Sequence, residues 1–258
     1  MSGLAAAFYA EALKARRSLV PWLVGVFAML PPVMLGLMMA IKKHPADAQR
    51  FGLLTTKSRL LVGAVDWPTF LGLVGQTMGA LGAIAFAVVA AWVFGREFAE
   101  RTCRIMLAIP TRRSSVVVAK AGVAAMWCLL LACWMVALGF AVGAIVGMPG
   151  LTLQLVRDTL ALTGRSVLLW LLLLPVTALL ASVGRGYLLP IGCALATMIV
   201  AQFVSATGWS PWFPWCVAIA SGTPGTHVAG ASLAVVVLTG LAALAATLLW
   251  WERSDQTV

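Results

Sequence analysis

The sequence of 258 residues is 62% hydrophobic and only 10% charged, with a mean hydropathy of +1.01. Soluble domains carry about 25% charged residues, so this composition excludes a soluble globular protein. It predicts an all-α integral membrane protein with a single transmembrane domain over residues 1–258. The net charge of +10 falls in short segments between apolar runs, which favours membrane topology and anionic lipid over nucleic acid as its cause.

Residues 1–18 predict a short amphipathic elbow helix that lies along the inner leaflet. Its first three turns share one apolar face: Leu4, Phe8 and Ala12. Three basic residues follow this face: Lys14, Arg16 and Arg17. Such a pattern is typical of an interfacial helix, although the same charges also serve as a topology signal. Ser18 and Pro21 predict a bend into the first span.

Long uncharged stretches predict six transmembrane helices, because a helix needs about 20 apolar residues to cross the hydrocarbon core. The sequence "GMPG" at 147–150 ends the third helix, and the Pro- and Trp-rich residues 208–227 divide the last uncharged stretch. The predicted spans are residues 19–41, 69–95, 117–146, 166–184, 187–207 and 229–251. Residues 208–228 are then predicted to form an extracellular or re-entrant segment.

An even number of spans places both termini on the same side of the membrane. If that side is the cytoplasm, most of the 18 Lys and Arg residues lie inside: Lys14, Arg16, Arg17, Arg96, Arg101, Arg104, Arg112, Arg113, Lys120, Arg185 and Arg253. Fewer lie outside: Lys42, Lys43, Arg50, Lys57, Arg59, Arg157 and Arg165. The positive-inside rule therefore predicts cytoplasmic N and C termini.

The chain carries few groups suited to catalysis or metal binding. Its two histidines, His44 and His227, lie in predicted loops, and no HExxH, GxSxG or paired intramembrane aspartate motif occurs. The five cysteines form no CxxC motif, so neither a zinc site nor a disulfide framework is indicated. The sequence predicts a non-catalytic protein that binds no metal or cofactor itself.

Polar groups inside the predicted spans are sparse. No charged residue lies in the interior of a span, which argues against a carrier driven by an ion gradient. No phosphate-binding loop of the form GxxxxGK[ST] occurs, so energy for uphill transport must come from another chain. Gln76 and Gln202 are candidates to line a substrate path, but interhelical hydrogen bonds are the favoured interpretation of both.

The second span carries glycines at three- and four-residue spacing on one helix face: Gly72, Gly75, Gly79 and Gly82. Small residues at this spacing allow two helix backbones to approach closely. The pattern indicates either packing within the six-helix bundle or a subunit interface.

A charged segment separates the second and third spans. Residues 96–109 have a helix-compatible composition, and Arg96 with Glu100, like Glu97 with Arg101, has the i,i+4 spacing of an opposite-charge pair. Pro110 would end this helix. The segment therefore predicts a helical hairpin at the cytoplasmic face, suited to contact a partner.

Residues of this segment and of the N-terminus together resemble a known family. The segment carries an ordered set: Glu97, Thr102, Leu107, Pro110, Arg113 and Lys120. The N-terminus carries a second set: Glu11, Lys14, Arg17 and Ser18. Both sets, with the six spans, resemble the permease subunits of type-2 ATP-binding-cassette exporters. The resemblance is narrowest to the branch associated with lantibiotic immunity and bacitracin resistance.

The resemblance implies a half-transporter in the bacterial inner membrane. Two permeases, identical or sister subunits, would form the path for an amphipathic peptide, antibiotic or lipid. Separate ATPase chains would bind ATP and Mg and dock beneath. Residues 96–115 would be the coupling segment, with eight residues that contact the ATPase: Arg96, Glu97, Glu100, Arg101, Thr102, Arg104, Pro110 and Arg113.

Three tryptophans of the segment 208–228 are further candidates for the substrate path: Trp209, Trp212 and Trp215. They would contact lipid or an amphipathic substrate, or form only an interfacial aromatic belt. The alternative function is a membrane scaffold or sensor that binds a partner through the same charged hairpin and transports nothing.

Overall fold

The computed structural model describes residues 3–44, 63–102 and 112–253, and these residues form helices without a strand. The helices are α1 (Gly3–Arg17), α2 (Leu19–Phe27), α3 (Leu30–Lys43), α4 (Trp67–Ala99), α5 (Arg113–Val146), α6 (Leu153–Val183), α7 (Leu188–Ala206), α8 (Pro214–Ser221) and α9 (Gly230–Arg253). A short 3-10 turn, Ser210–Trp212, precedes α8.

Six helical segments in this part of the chain are long and apolar enough to cross a membrane, which confirms the predicted number of spans. The first consists of α2 and α3 together. It is interrupted at Ala28 and Met29 because Pro31 and Pro32 follow, and a proline lacks the N–H and clashes with the carbonyl four residues earlier. Ser18 caps α2, with its hydroxyl accepting a hydrogen bond from the Val20 N–H at 3.2 Å.

The fourth span begins well before the predicted residue 166. Helix α6 starts at Leu153, where the Thr152 hydroxyl accepts a hydrogen bond from the Leu155 N–H at 3.1 Å. The helix therefore includes three charged residues that the prediction left outside: Arg157, Asp158 and Arg165. Charged side chains do not stop a helix once its N-terminal cap is satisfied, so the start of the hydrophobic run was a poor guide to the start of the helix.

The helices meet at two opposite ends of the bundle. The "α1 end" contains α1, the end of α4, the start of α5 and the end of α9, where an Arg113 guanidinium N–H donates to the Trp251 carbonyl at 3.1 Å. At the "far end", the Lys43 ammonium donates to the Val146 carbonyl at 2.7 Å, and the Trp67 N–H donates to the Pro149 carbonyl at 3.0 Å. The beginning and the end of the described chain therefore lie at the same end.

Helix α4 lies at the centre of the bundle. Every side chain from residue 89 to residue 94 is at most 8% exposed. The α4 glycines make part of this packing possible: a Cβ added to Gly75 would lie 3.4 Å from the Gly222 carbonyl oxygen, and one added to Gly79 would lie 3.5 Å from the Ile219 oxygen. These two glycines therefore serve packing within the chain.

Helix α8 fills the space that the glycines leave. Its Cys216, Val217 and Ala218 are buried, and it packs against α4, α6, α7 and α9. The Arg165 side chain of α6 donates to the Ser221 carbonyl through Nε at 3.0 Å and Nη2 at 2.6 Å. A cation at the C-terminus of a helix satisfies free carbonyls and opposes the negative end of the helix dipole.

We expect Gly240→Ala to destabilise the bundle, because a Cβ at this position would lie 2.1 Å from the Leu172 carbonyl oxygen on α6. Backbone atoms cannot rotate away, so α9 and α6 must separate, at a cost of about 1–3 kcal/mol. The check is thermal unfolding of the purified protein in detergent.

Gly192→Ala is the matched control, since Gly192 is also inside a helix but nothing lies within 4 Å of its added Cβ. We expect its unfolding temperature to stay at or above that of the wild type. Equal unfolding temperatures for the two variants would contradict the close approach of α9 to α6.

Candidate functional site

Four charged side chains from three helices meet at the α1 end. The Glu97 carboxylate of α4 lies 2.8 Å from the Lys120 ammonium of α5 and 2.9 Å from the Lys14 ammonium of α1. The Glu11 carboxylate of α1 lies 2.6 Å from Lys14 and 3.1 Å from Lys120. Each acid therefore contacts both bases, and we call this closed set the ion cluster.

Three of the four members of the ion cluster are almost completely removed from solvent, whereas the Lys14 side chain is 38% exposed. Lys120 is 1% exposed, Glu97 3% and Glu11 7%. Burying a charge is costly unless opposite charges and hydrogen bonds compensate it. In the cluster two carboxylates balance two ammonium groups, while Oε2 of Glu97 is buried without a hydrogen-bond partner in the described part of the chain. The Lys120 ammonium also donates to the Val93 carbonyl at 3.0 Å, so its three N–H donors all have acceptors.

Lys14 connects the ion cluster to the surface. Burial lowers the pKa of this lysine, but the attraction of Glu97 and the hydrogen bonds to Glu11 and Glu97 outweigh it, so the pKa is raised above its usual value of 10.5. A raised pKa for a base means that the charged form is favoured in the folded state. Its stabilising effect is therefore fully present at neutral pH and is lost only as the pH rises through the raised pKa.

The ion cluster links α1 to the two helices that flank residues 103–111 in the chain. Glu97 lies in the last turn of α4 and Lys120 near the start of α5. These helices bracket residues 103–111, which lie outside the described residues. Glu11 and Lys14 lie one turn apart on α1 and contact both bracketing helices. The ion cluster thus fastens α1 to the two helices from which the segment 103–111 emerges.

The structure corrects the prediction for Glu97. The expected pair of Arg96 and Glu100 is confirmed at 2.9 Å, but the expected pair of Glu97 and Arg101 is wrong. Glu97 lies on the inward face of α4 and, within the described ranges, pairs with the ion cluster instead. Glu97, near the end of α4, and Lys120, near the start of α5, are thus charged residues buried within membrane-length helices.

Helix α4 also ends earlier than the predicted helix over residues 96–109. Arg101 has φ +57°, its N–H donates to the Phe98 carbonyl at 3.2 Å, and the Thr102 N–H donates to the Glu97 carbonyl at 2.9 Å. This pair of hydrogen bonds is the Schellman motif, in which a left-handed residue closes a helix. Residues 96–99 therefore continue the second span, and Arg101 with Thr102 forms its C-terminal cap.

The other predicted coupling residues are placed as follows. Arg96, which lies 5.3 Å over the Trp92 ring, is half-buried, whereas Glu100 and Arg101 are exposed. Arg113 begins α5, where it is exposed while donating to the Trp251 carbonyl. Arg104 and Pro110 lie outside the described residues, so their predicted contact with an ATPase stays a prediction.

The residues predicted for a substrate path do not converge. Gln76 of α4 and Gln202 of α7 are both exposed on outer surfaces, and no hydrogen bond joins either amide to another helix in the described part of the chain. Trp209 and Trp212 are 68% and 61% exposed. Trp215 differs, because it is half-buried and lines a cavity of about 160 Å³ between α4, α6, α7 and α8.

All four members of the ion cluster stand out in the sequence, but their contact with one another was not predicted. All four belong to the two ordered sets described above, two at the N-terminus and two around the charged segment. The available signal was Lys120 itself, a single charge between the apolar residues 116–119 and 121–126. A charge inside an apolar helix indicates a buried partner.

We expect Lys120→Met to destabilise the protein by about 3–5 kcal/mol, because it leaves one carboxylate of the ion cluster buried without a balancing charge. The double variant Glu97→Gln with Lys120→Met removes one charge of each sign and should recover much of that loss. Thermal unfolding of both variants in detergent measures the coupling. A double variant as unstable as Lys120→Met alone would contradict the coupling between Glu97 and Lys120.

Comparisons with known proteins identify the family to which the chain belongs. A family model described as ABC-2 family transporter protein matches residues 7–204, a range that contains the whole ion cluster. The chain is 28% identical over 185 residues to the bacitracin transport permease protein BCRB of Bacillus licheniformis, and the alignment covers 68% of this chain and 86% of that protein. No solved structure matches. The chain therefore belongs to the ABC-2 transporter family, as a membrane permease subunit of an ABC exporter.

Proposed function

We propose that this permease is half of an ATP-driven exporter in the bacterial cytoplasmic membrane, and that it moves an amphipathic peptide, antibiotic or lipid outward. A second permease, a copy or a sister subunit, completes the path. Separate ATPase chains bind ATP and Mg, while this chain catalyses no reaction itself. Bacitracin transport, named for the Bacillus licheniformis relative, supports a role in bacitracin resistance or lantibiotic immunity.

The observation that carries the proposal is the ion cluster. An ATPase that pushes on residues 103–111 would act on the ends of α4 and α5 at once. Because Glu97 and Lys120 are held by Glu11 and Lys14, neither helix can move away from α1 without exposing a buried charge to an apolar surrounding. The three helices would therefore move as one body, which carries motion from the ATPase into the spans.

The distribution of basic residues supports a cytoplasmic location for the α1 end. In the described ranges, this end holds Lys14, Arg16, Arg17, Arg96, Arg101, Arg112, Arg113, Lys120, Arg185 and Arg253. The far end holds Lys42, Lys43, Arg157 and Arg165. The excess at the α1 end is what the positive-inside rule expects of cytoplasmic segments, and α1 would then lie along the inner leaflet as an elbow helix.

The outer face of α7 supports a second permease. Leu188, Ile199 and Phe203 of this helix are 88%, 60% and 69% exposed, and Gln202 is exposed beside them. A polar amide is costly in contact with lipid chains but can hydrogen-bond to a partner helix. We therefore place Gln202 at or near the contact between the two permeases.

The ATPase contact is proposed to involve the exposed charges that surround the ion cluster, chiefly Glu100, Arg101 and Arg113, with Arg104 and Pro110. Exposed charged pairs at an interface tune the choice of partner more than its affinity. Glu97 is a positioning residue in this proposal, since its carboxylate is buried. Reversing its charge would therefore test folding and would not test the contact.

We expect Arg101→Gly to weaken binding of the ATPase by up to about fivefold, the effect of one exposed ion pair. Glycine adopts the left-handed conformation of Arg101 without strain, so the cap of α4 and the stability of the permease should be preserved. Titration of the ATPase onto the reconstituted permease, together with substrate-stimulated ATP turnover, measures the effect.

Arg185→Gly is the matched control, because Arg185 is the other non-glycine residue with positive φ in the described ranges, at +47°, and caps α6. We expect it to bind the ATPase as the wild type does. Wild-type binding by Arg101→Gly would contradict the assigned contact. ATP turnover that no amphipathic substrate changes would favour the scaffold or sensor function over export.

A further inference from the structure

A cleft of about 750 Å³ opens at the α1 end between α1, α4 and the start of α7. Val20, the second residue of α2, and Ile191, in the first turn of α7, both line it. Two membrane spans therefore begin at the cleft. The ion cluster closes the inner side of the cleft through Lys14.

The wall formed by α4 changes character along its length. Val88, Trp92, Arg96 and Glu100 follow at four-residue intervals and all line the cleft. This spacing keeps them on one helix face over about 18 Å. The first two positions are apolar and the last two are charged. The cleft is therefore apolar toward the membrane interior and polar toward the α1 end.

Among the described residues, the polar part of the cleft has one unbalanced positive charge, that of Arg17. Lys14, Arg17 and Arg96 line it, against one acid, Glu100, which pairs with Arg96 at 2.9 Å. Lys14 is held by the ion cluster. Arg17 is exposed and makes no ion pair with any residue of the described ranges. Its guanidinium is thus available to an anion that enters the cleft.

We infer that this cleft binds one anionic glycerophospholipid, with the phosphate at Arg17 and Lys14 and an acyl chain along Val88, Trp92 and Ile191. Basic pockets between membrane helices are suited to acidic headgroups, and arginine binds phosphate through two N–H groups. A soluble anion would leave the apolar wall in contact with water, and a lipid without net charge would leave the positive charge of Arg17 unbalanced. The bound lipid would occupy the seam between α1 and α4, a role separate from the transported substrate.

The test uses Arg17→Gln, with Arg16→Gln as its matched control. Arg16 is the adjacent exposed arginine of α1, and it does not line the cleft. The purified full-length permease is titrated in detergent with phosphatidylglycerol or with phosphatidylcholine. Bound lipid is counted by native mass spectrometry, and thermal unfolding is measured in parallel.

We expect the wild type and Arg16→Gln to retain one phosphatidylglycerol in preference to phosphatidylcholine and to unfold at a higher temperature when it is bound. Arg17→Gln should bind phosphatidylglycerol about fivefold more weakly, the effect of one basic residue near an anionic lipid, while its unfolding temperature without lipid stays unchanged. That last measurement separates lost binding from lost folding.

Three results would overturn the inference. The first is equal retention of the two lipids by the wild type. The second is equal loss of phosphatidylglycerol in Arg16→Gln and Arg17→Gln, which would indicate only general attraction to the basic surface. The third is stabilisation by inorganic phosphate as large as that by phosphatidylglycerol, which would assign the cleft to a soluble anion.

Discussion

The ion pair between Glu97 and Lys120 is the interaction on which the α1 end depends. Both side chains are buried, so each charge depends on its ion pairs and hydrogen bonds in place of water. Their pairing therefore holds α4 against α5, and the further contacts of Glu97 with Lys14 and of Lys120 with Glu11 join α1 to this pair. A helix with little burial of its own apolar face is in this way fixed to the bundle by electrostatics.

Several backbone features at the α1 end require close contact between helix ends. Two helices, α4 and α6, end in left-handed arginines, Arg101 and Arg185. A Cβ on Gly95 of α4 would lie 2.8 Å from the Gly186 carbonyl oxygen beyond α6, so these two helix ends touch. Arg113 adds a hydrogen bond to the end of α9. The ends of five helices, α1, α4, α5, α6 and α9, are thus linked at the α1 end.

Glu97 belongs to the family motif but was predicted to pair with the wrong partner. Arg96 and Glu100 form the ion pair that i,i+4 spacing predicts. The same spacing predicted a pair between Glu97 and Arg101. One residue along a helix rotates the side chain by about 100°, which is enough to turn it from the surface to the interior. Which side of α4 faces inward depends on where α1 and α5 pack, and that information is spread over residues more than 80 positions apart in the chain.

The sequence alone determined the membrane environment, the number of spans, the bend at Ser18, the end of α5 before Gly147, and the residues of the family motif, because these follow from composition and from interactions within a few residues. Tertiary structure decided that Gly75 and Gly79 pack against the end of α8, that α6 begins before its charged residues, and that Glu11, Lys14, Glu97 and Lys120 form one cluster. These features depend on the approach of distant helices. Hydrophobic patterns in membrane helices do not determine that approach, since lipid and protein interior are equally apolar.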